Sequence, residues 1–126
     1  MDSNARASVV RFAEAYARVP GPNGERIASV IQRGTLDVCL SVPVPPNRQT
    51  PHAQDELYVI VRGHGVLVHG DRRESFSAGD IVFVAAGEVH HYEQFSDDLA
   101  LWRIFYGAEG GEITDLPASA SSRDAS

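Results

Sequence analysis

Residues 51–63 read Pro51-His52-Ala53-Gln54-Asp55-Glu56-Leu57-Tyr58-Val59-Ile60-Val61-Arg62-Gly63, and residues 79–90 read Gly79-Asp80-Ile81-Val82-Phe83-Val84-Ala85-Ala86-Gly87-Glu88-Val89-His90. Each holds a short run of β-branched and aromatic residues bounded by Gly, Asp or Pro, the mark of a strand between turns. Side chains alternate along a strand, so Glu56, Tyr58 and Ile60 share one face while Leu57, Val59 and Val61 share the other. Both faces of that strand are rich in apolar residues, and something must cover the second one. A helix, the N-terminal strands or a second copy of the chain would do so, and a homodimer is expected on that ground.

Outward from these stretches the same grammar continues. Strands are expected at Arg26–Gln32, Thr35–Val42, Glu56–Val61, Gly65–His69, Glu74–Ser77, Ile81–Val84, His90–Phe95 and Leu99–Phe105. Turn signals separate them at Arg33-Gly34, Arg62-Gly63, Gly70-Asp71, Gly79-Asp80 and Ala86-Gly87. Short strands with no helix between them predict an all-β sandwich, jelly roll or small barrel. Before them, Val9, Phe12, Tyr16 and Val19 recur at helical spacing, which predicts a short amphipathic helix over 9–19 that ends at Pro20-Gly21-Pro22. The expected organisation is an N-terminal segment over 1–24, a β-barrel over 25–106 and a flexible C-terminal tail over 107–126, where small and polar residues dominate.

Composition narrows the function. The 126 residues are 43% hydrophobic and 22% charged, which suits one folded domain. Eleven basic against seventeen acidic residues give a net charge of −6, unsuited to nucleic acid. Every basic residue is an arginine, so no lysine can form a Schiff base or serve a phosphate-binding loop. Cys39, the single cysteine, excludes an intrachain disulfide and a paired-thiol zinc site, and it reads as a small buried group rather than a catalytic thiol. No segment is apolar for the ~18 residues of a membrane span, and Met1–Val19 lacks the pattern of a signal peptide. A cytoplasmic protein with no membrane partner is expected.

The five histidines, His52, His64, His69, His90 and His91, all fall within the β region. His52 and Glu56 would stand about 13 Å apart on a straight strand, too far for one ion to bridge. They can act together only if Ala53-Gln54-Asp55 turns, with Glu56 opening the next strand and His90 arriving from a third. His90 and Tyr92 share a face that His91 avoids. His64 and His69 sit near turns and are expected at the surface. Tyr58, Tyr92, Trp102 and Phe105 serve either a pocket or the core. Arg103 either faces into the barrel, where it would offer a guanidinium to a carboxylate, or lies exposed or paired with Asp97 or Asp98.

The two quoted stretches resemble the paired motifs of the cupin superfamily. The first of these runs Gly-x5-His-x-His, three or four residues, Glu, six residues and Gly; the second runs Gly-x5-Pro-x-Gly-x2-His-x3-Asn. Glu56-x6-Gly63 and Gly79-x7-Gly87-x2-His90 keep the spacing residue for residue, and the motifs together span 44–94. The resemblance implies a jelly-roll, or double-stranded β-helix, barrel. It also implies that His52, Glu56 and His90 are metal ligands. The sequence departs from the pattern at Val44, Thr50, Ala85 and Gln94, and Thr50 stands where the family has its first histidine.

Two imidazoles and a carboxylate suit non-haem Fe(II), while Zn, Mn and Ni remain open choices. Thr50 and Gln54 are candidates for a fourth, weaker oxygen ligand. The function this implies is a small-molecule enzyme of the dioxygenase, isomerase or lyase kind. The alternative is a non-catalytic module that binds a small ligand, and a barrel that has lost its metal is a third reading.

Overall fold

The computed structural model describes residues 8–47 and 51–112. Eight strands form two antiparallel sheets: β1 (Ile27–Arg33), β2 (Leu36–Ser41), β3 (Asp55–Arg62), β4 (His64–His69), β5 (Arg72–Ser77), β6 (Ile81–Val84), β7 (His90–Glu93) and β8 (Ala100–Tyr106). The larger sheet has the order β1-β2-β8-β3-β6 and the smaller β5-β4-β7. The all-β barrel expected from the sequence is what forms, with strand ends within two residues of expectation. A short helix, α1 (Phe12–Tyr16), precedes it.

Register decides what faces inward. Ser29, Cys39, Arg103, Tyr58 and Val82 lie opposite one another across the five strands. One pleat along, Asp37, Phe105, Glu56 and Val84 make a parallel row. These rows look towards the smaller sheet. Tyr58, Ile60, Val84, Leu99 and Leu101 pack there against Leu67, Phe76 and Tyr92 in one buried cluster. Closing this side is the main source of stability, at about 25 cal/mol per Å² of apolar surface removed from water.

The opposite face of the large sheet is covered at one end by α1. Ala15 packs with Leu40, Val42 and Ala100, flanked by Phe12, Tyr16, Val19 and Trp102. Arg62 lies 4.8 Å from the centroids of both the Phe12 and Tyr16 rings, a cation–π contact that ties the helix to the end of β3. At the other end of the face Ile81 and Phe83 stay 70% and 51% exposed. The helix is shorter than its apolar spacing predicts. Arg11 gives no side-chain cap, and beyond Tyr16 the bonds from Arg18 N–H to Ala15 O and from Val19 N–H to Tyr16 O tighten the chain into a turn before Pro20.

His69 overturns a sequence expectation. It is only 8% exposed, because β4 alternates Gly65, Leu67 and His69 inward. Its Nε2 meets Glu74 Oε2 at 2.6 Å and its Nδ1 meets Glu88 Oε2 at 3.1 Å. Hydrogen bonds to Glu74 and then Glu88 hold its pKa above the ordinary histidine value, outweighing burial. A raised histidine pKa stabilises the fold fully below about pH 6.5 and loses that contribution as pH climbs through the folded-state value. Denaturation midpoints of the wild type should therefore fall over that upward interval relative to His69→Gln; parallel pH profiles would count against the clamp. His64, by contrast, is exposed as expected.

The β6–β7 connection hangs from this clamp and from Asp55. Asp55 is buried, and its two oxygens accept from Ala86 N–H and Glu112 N–H, each at 2.9 Å. Among the described residues no helix is long and apolar enough to cross a membrane.

Candidate metal centre and pocket

His52, Glu56 and His90 come from three segments, and of these Glu56 and His90 meet directly. His52 precedes β3, the chain bends at Ala53 and Gln54, and Glu56 is the second residue of β3. The turn required between them is therefore present. Gly87 N–H donates to the His52 carbonyl at 2.8 Å, which joins the His52 segment to the turn leading into His90. Gly87 has a φ of +79°, a left-handed conformation that glycine adopts without strain.

His90 is the first residue of β7 and its side chain is fully buried. Its Nδ1 lies 3.0 Å from the Glu88 carbonyl, to which it can only donate, so the neutral ring carries its lone pair on Nε2. Nε2 in turn lies 3.1 Å from Glu56 Oε1 and 2.8 Å from the Tyr58 hydroxyl. Burial works against a charged His90 ring, but the Glu56 carboxylate and the Glu88 carbonyl hold its pKa above the ordinary value. His52 moves the other way: burial lowers its pKa, Glu56 opposes, and the nearby Arg103 charge lowers it further.

Glu56 is 1% exposed, yet neither of its oxygens makes a well-formed hydrogen bond. His90 Nε2 stands near Oε1 without forming a hydrogen bond to it, and the Tyr58 hydroxyl meets the same ring nitrogen. A buried carboxylate approached but not satisfied is costly, and such groups are ordinarily paired, hydrogen-bonded or bound to metal.

The three side chains are not gathered to equal degree. The His52 and His90 rings are 6.1 Å apart at their centroids, and the His52 ring packs on Phe105 at 4.6 Å. Among the described residues, no three of His, Cys, Asp and Glu stand close enough together to grip one ion as they are. Thr50 lies outside the described residues. Gln54 is turned elsewhere, its Nε2 donating to the carbonyls of Thr35 and Gly107 at 3.1 and 2.9 Å. Those bonds anchor the barrel end. His91 also points away, to Glu93 at 2.8 Å.

Beside His52 and Tyr58 opens a pocket of about 390 Å³. Its polar lining includes Arg26, His52, Tyr58, Tyr92 and Arg103, and Pro43, Val44 and Pro46 supply apolar surface. Arg103 thus faces into the barrel rather than towards Asp97 or Asp98. Strand parity alone held that information, because Leu101, Arg103 and Phe105 share a face. Tyr58 and Tyr92 serve core and pocket together, their rings 5.4 Å apart. Burial pushes the Tyr58 phenol far above its usual pKa, so it remains a hydroxyl. Cys39 is buried beside Arg103, and burial raises its thiol pKa, in keeping with a small packing group.

A two-sheet antiparallel barrel with a buried Glu56–His90 contact and a pocket lined by His52 and Tyr58 defines the small β-barrel class to which the sequence motifs pointed. The chain belongs to the cupin domain family, whose model matches residues 41–105, just over half its length. Uncharacterized protein SCO3923 of Streptomyces coelicolor is 37% identical over 57 residues, covering 45% of this chain and 54% of that one. The chain therefore spans about half the length of the curated relative it matches. Among solved structures, a Rhizobium leguminosarum protein of unknown function aligns at a TM-score of 0.64 and 18% identity, covering 81% of this chain and 98% of that one. Hydroxypropylphosphonic acid epoxidase of S. wedmorenis aligns at 0.54 and 15%, covering 67% and 52%. Likeness at such low identity establishes the barrel and leaves the chemistry to the residues.

Proposed function

We propose that this cupin binds one divalent transition metal through His52, Glu56 and His90 and acts on a small molecule held in the pocket lined by His52 and Tyr58. The observation that carries the reading is Glu56: a carboxylate 1% exposed, both oxygens without a hydrogen bond, 3.1 Å from an imidazole nitrogen. The donor set of two imidazoles and a carboxylate suits Fe(II), Zn, Mn or Ni. When bound, such an ion supplies Lewis acidity or, for iron, O₂ chemistry, which places dioxygenase-like, isomerase and lyase reactions within reach.

The chain's own residues do the rest. The Glu88 carbonyl fixes the His90 tautomer and aims Nε2 at Glu56, as second-row hydrogen bonds do for ligating histidines. Asp55 steadies the turn that carries His90. Tyr58 keeps a proton at the edge of the site, and Tyr92 and the prolines exclude water from one side of a bound molecule.

A second reading, a barrel that holds a small ligand without catalysis, is favoured by one observation. The Tyr58 hydroxyl occupies His90 Nε2 at 2.8 Å, which satisfies that nitrogen with no ion present. Elemental analysis of untagged protein separates the two. Near-stoichiometric metal in the wild type, lost in both His52→Ala and His90→Ala, is the expected result. No metal after reconstitution would leave the binding module as the function.

A further inference from the structure

The pocket is positively charged inside a protein whose net charge is −6. No Asp or Glu is among its lining residues, which include Arg26 and Arg103. Among the described residues neither arginine forms an ion pair; the arginine pairs that do form are Arg72–Glu74 and Arg73–Glu93, outside the pocket. Arg26 Nε donates to the Val42 carbonyl at 2.9 Å, which holds that guanidinium at the rim.

Arg103 sits deeper. It is on β8 between Cys39 of β2 and Tyr58 of β3, its Cζ 4.8 Å from the Phe105 ring centroid. Its Nε is buried without an acceptor, and Nη2 meets only the Cys39 sulfur at 3.9 Å, a weak partner. A guanidinium over an aromatic ring, with little of its donor capacity used by the protein, is suited to a planar two-oxygen anion. Arg103 therefore sits in the pocket as a positive group without an ion-pair partner among the described residues, the carboxylates of Asp37 and Glu56 lying in the adjacent row of the sheet.

We propose that the pocket takes a small carboxylic acid as its anion, with the carboxylate on Arg103 and a flat or apolar body against Tyr92, Pro43 and Pro46. This deepens the small-molecule reading above and rests on that pocket being the ligand site, though not on the metal. Arg103 is then the residue that decides which molecules enter: acids are accepted, and their neutral amides, which cannot answer the guanidinium charge, are refused. The pocket volume suits a molecule the size of a substituted benzoate.

The test is calorimetric titration of metal-loaded and metal-depleted protein with benzoate, benzamide and inorganic phosphate. Benzoate should bind both forms, with benzamide and phosphate each about tenfold weaker or more, since one charge-assisted interaction is worth roughly that factor. Arg103→Gln should lose the preference for benzoate over benzamide, and Arg103→Lys should recover part of it. Should the variants fail to fold, the Nε–H resonance of Arg103 in labelled wild-type protein must still shift on adding benzoate and stay put on adding benzamide. Equal binding of acid and amide, equal binding of phosphate, or no benzoate binding overturns the proposal. Benzoate binding that vanishes with the metal yet survives Arg103→Gln also overturns it, while leaving the metal reading intact; selective binding in the metal-depleted form upholds it whatever the metal analysis shows.

Discussion

Gly63→Ala is expected to destabilise the protein by on the order of 3–5 kcal/mol, with a Tm lower by about 10 °C or more. Two costs add at this position. The backbone φ is +89°, a region that residues with a Cβ rarely enter. A Cβ built there would also stand 2.7 Å from Leu99 Cα, 2.9 Å from Leu99 N and 2.6 Å from Ser96 Oγ. Backbone atoms cannot swing aside as a flexible side chain can, and Leu99 is completely buried in the core cluster. Relief would require the β7–β8 connection to move away from the β3–β4 turn, opening the barrel just beyond the strand that carries Glu56 and Tyr58. Gly34→Ala provides the control: its φ is +57° but nothing lies within 4 Å of the added atom, so only the dihedral cost of about 1 kcal/mol applies. Chemical denaturation of both variants reads the difference, and equal losses would show that crowding at Leu99 is not what requires glycine.

That glycine was also among the most legible features of the sequence. Its seven-residue offset from Glu56 set the end of β3, and the Gly79–Gly87–His90 spacing set β6, the following turn and β7. Strand parity grouped Glu56 with Tyr58 and Ile60, and His90 with Tyr92, but with both faces of β3 apolar it did not say which one turns inward. Sheet order was not legible, because β2 leaves its chain neighbour β3 and pairs with β8 instead, a long-range choice that local patterning does not encode. His69 lies beside a turn, where exposure is the ordinary expectation, yet its parity with Leu67 turns it inward. Asp55 escaped notice because its role lies in accepting bonds from two loops distant in sequence. Gln94, which replaces the family's asparagine, has a φ of 51°. Asparagine tolerates that region better than glutamine.

For Glu56, the expected result is a reversal in the order of stability. In metal-depleted protein Glu56→Gln should be the more stable form by about 1–3 kcal/mol, because the amide keeps the shape while removing a buried charge that lacks good hydrogen bonds. Added metal should then stabilise the wild type alone, by about 4 kcal/mol at a thousandfold excess over the dissociation constant, since an ion that binds only the folded state shifts unfolding by mass action. The curves of wild type and variant therefore cross between the two conditions. Each rival produces a different pattern. If the barrel binds small ligands without a metal, Glu56→Gln stays more stable in both conditions, because nothing restores the value of the charge. If the 3.1 Å approach to His90 is a favourable ion pair, the wild type is more stable even when depleted, and breaking a buried pair of that kind would cost the variant several kcal/mol. The crossing thus separates a carboxylate kept for an ion from one kept for a histidine, using stability alone and without knowledge of the substrate.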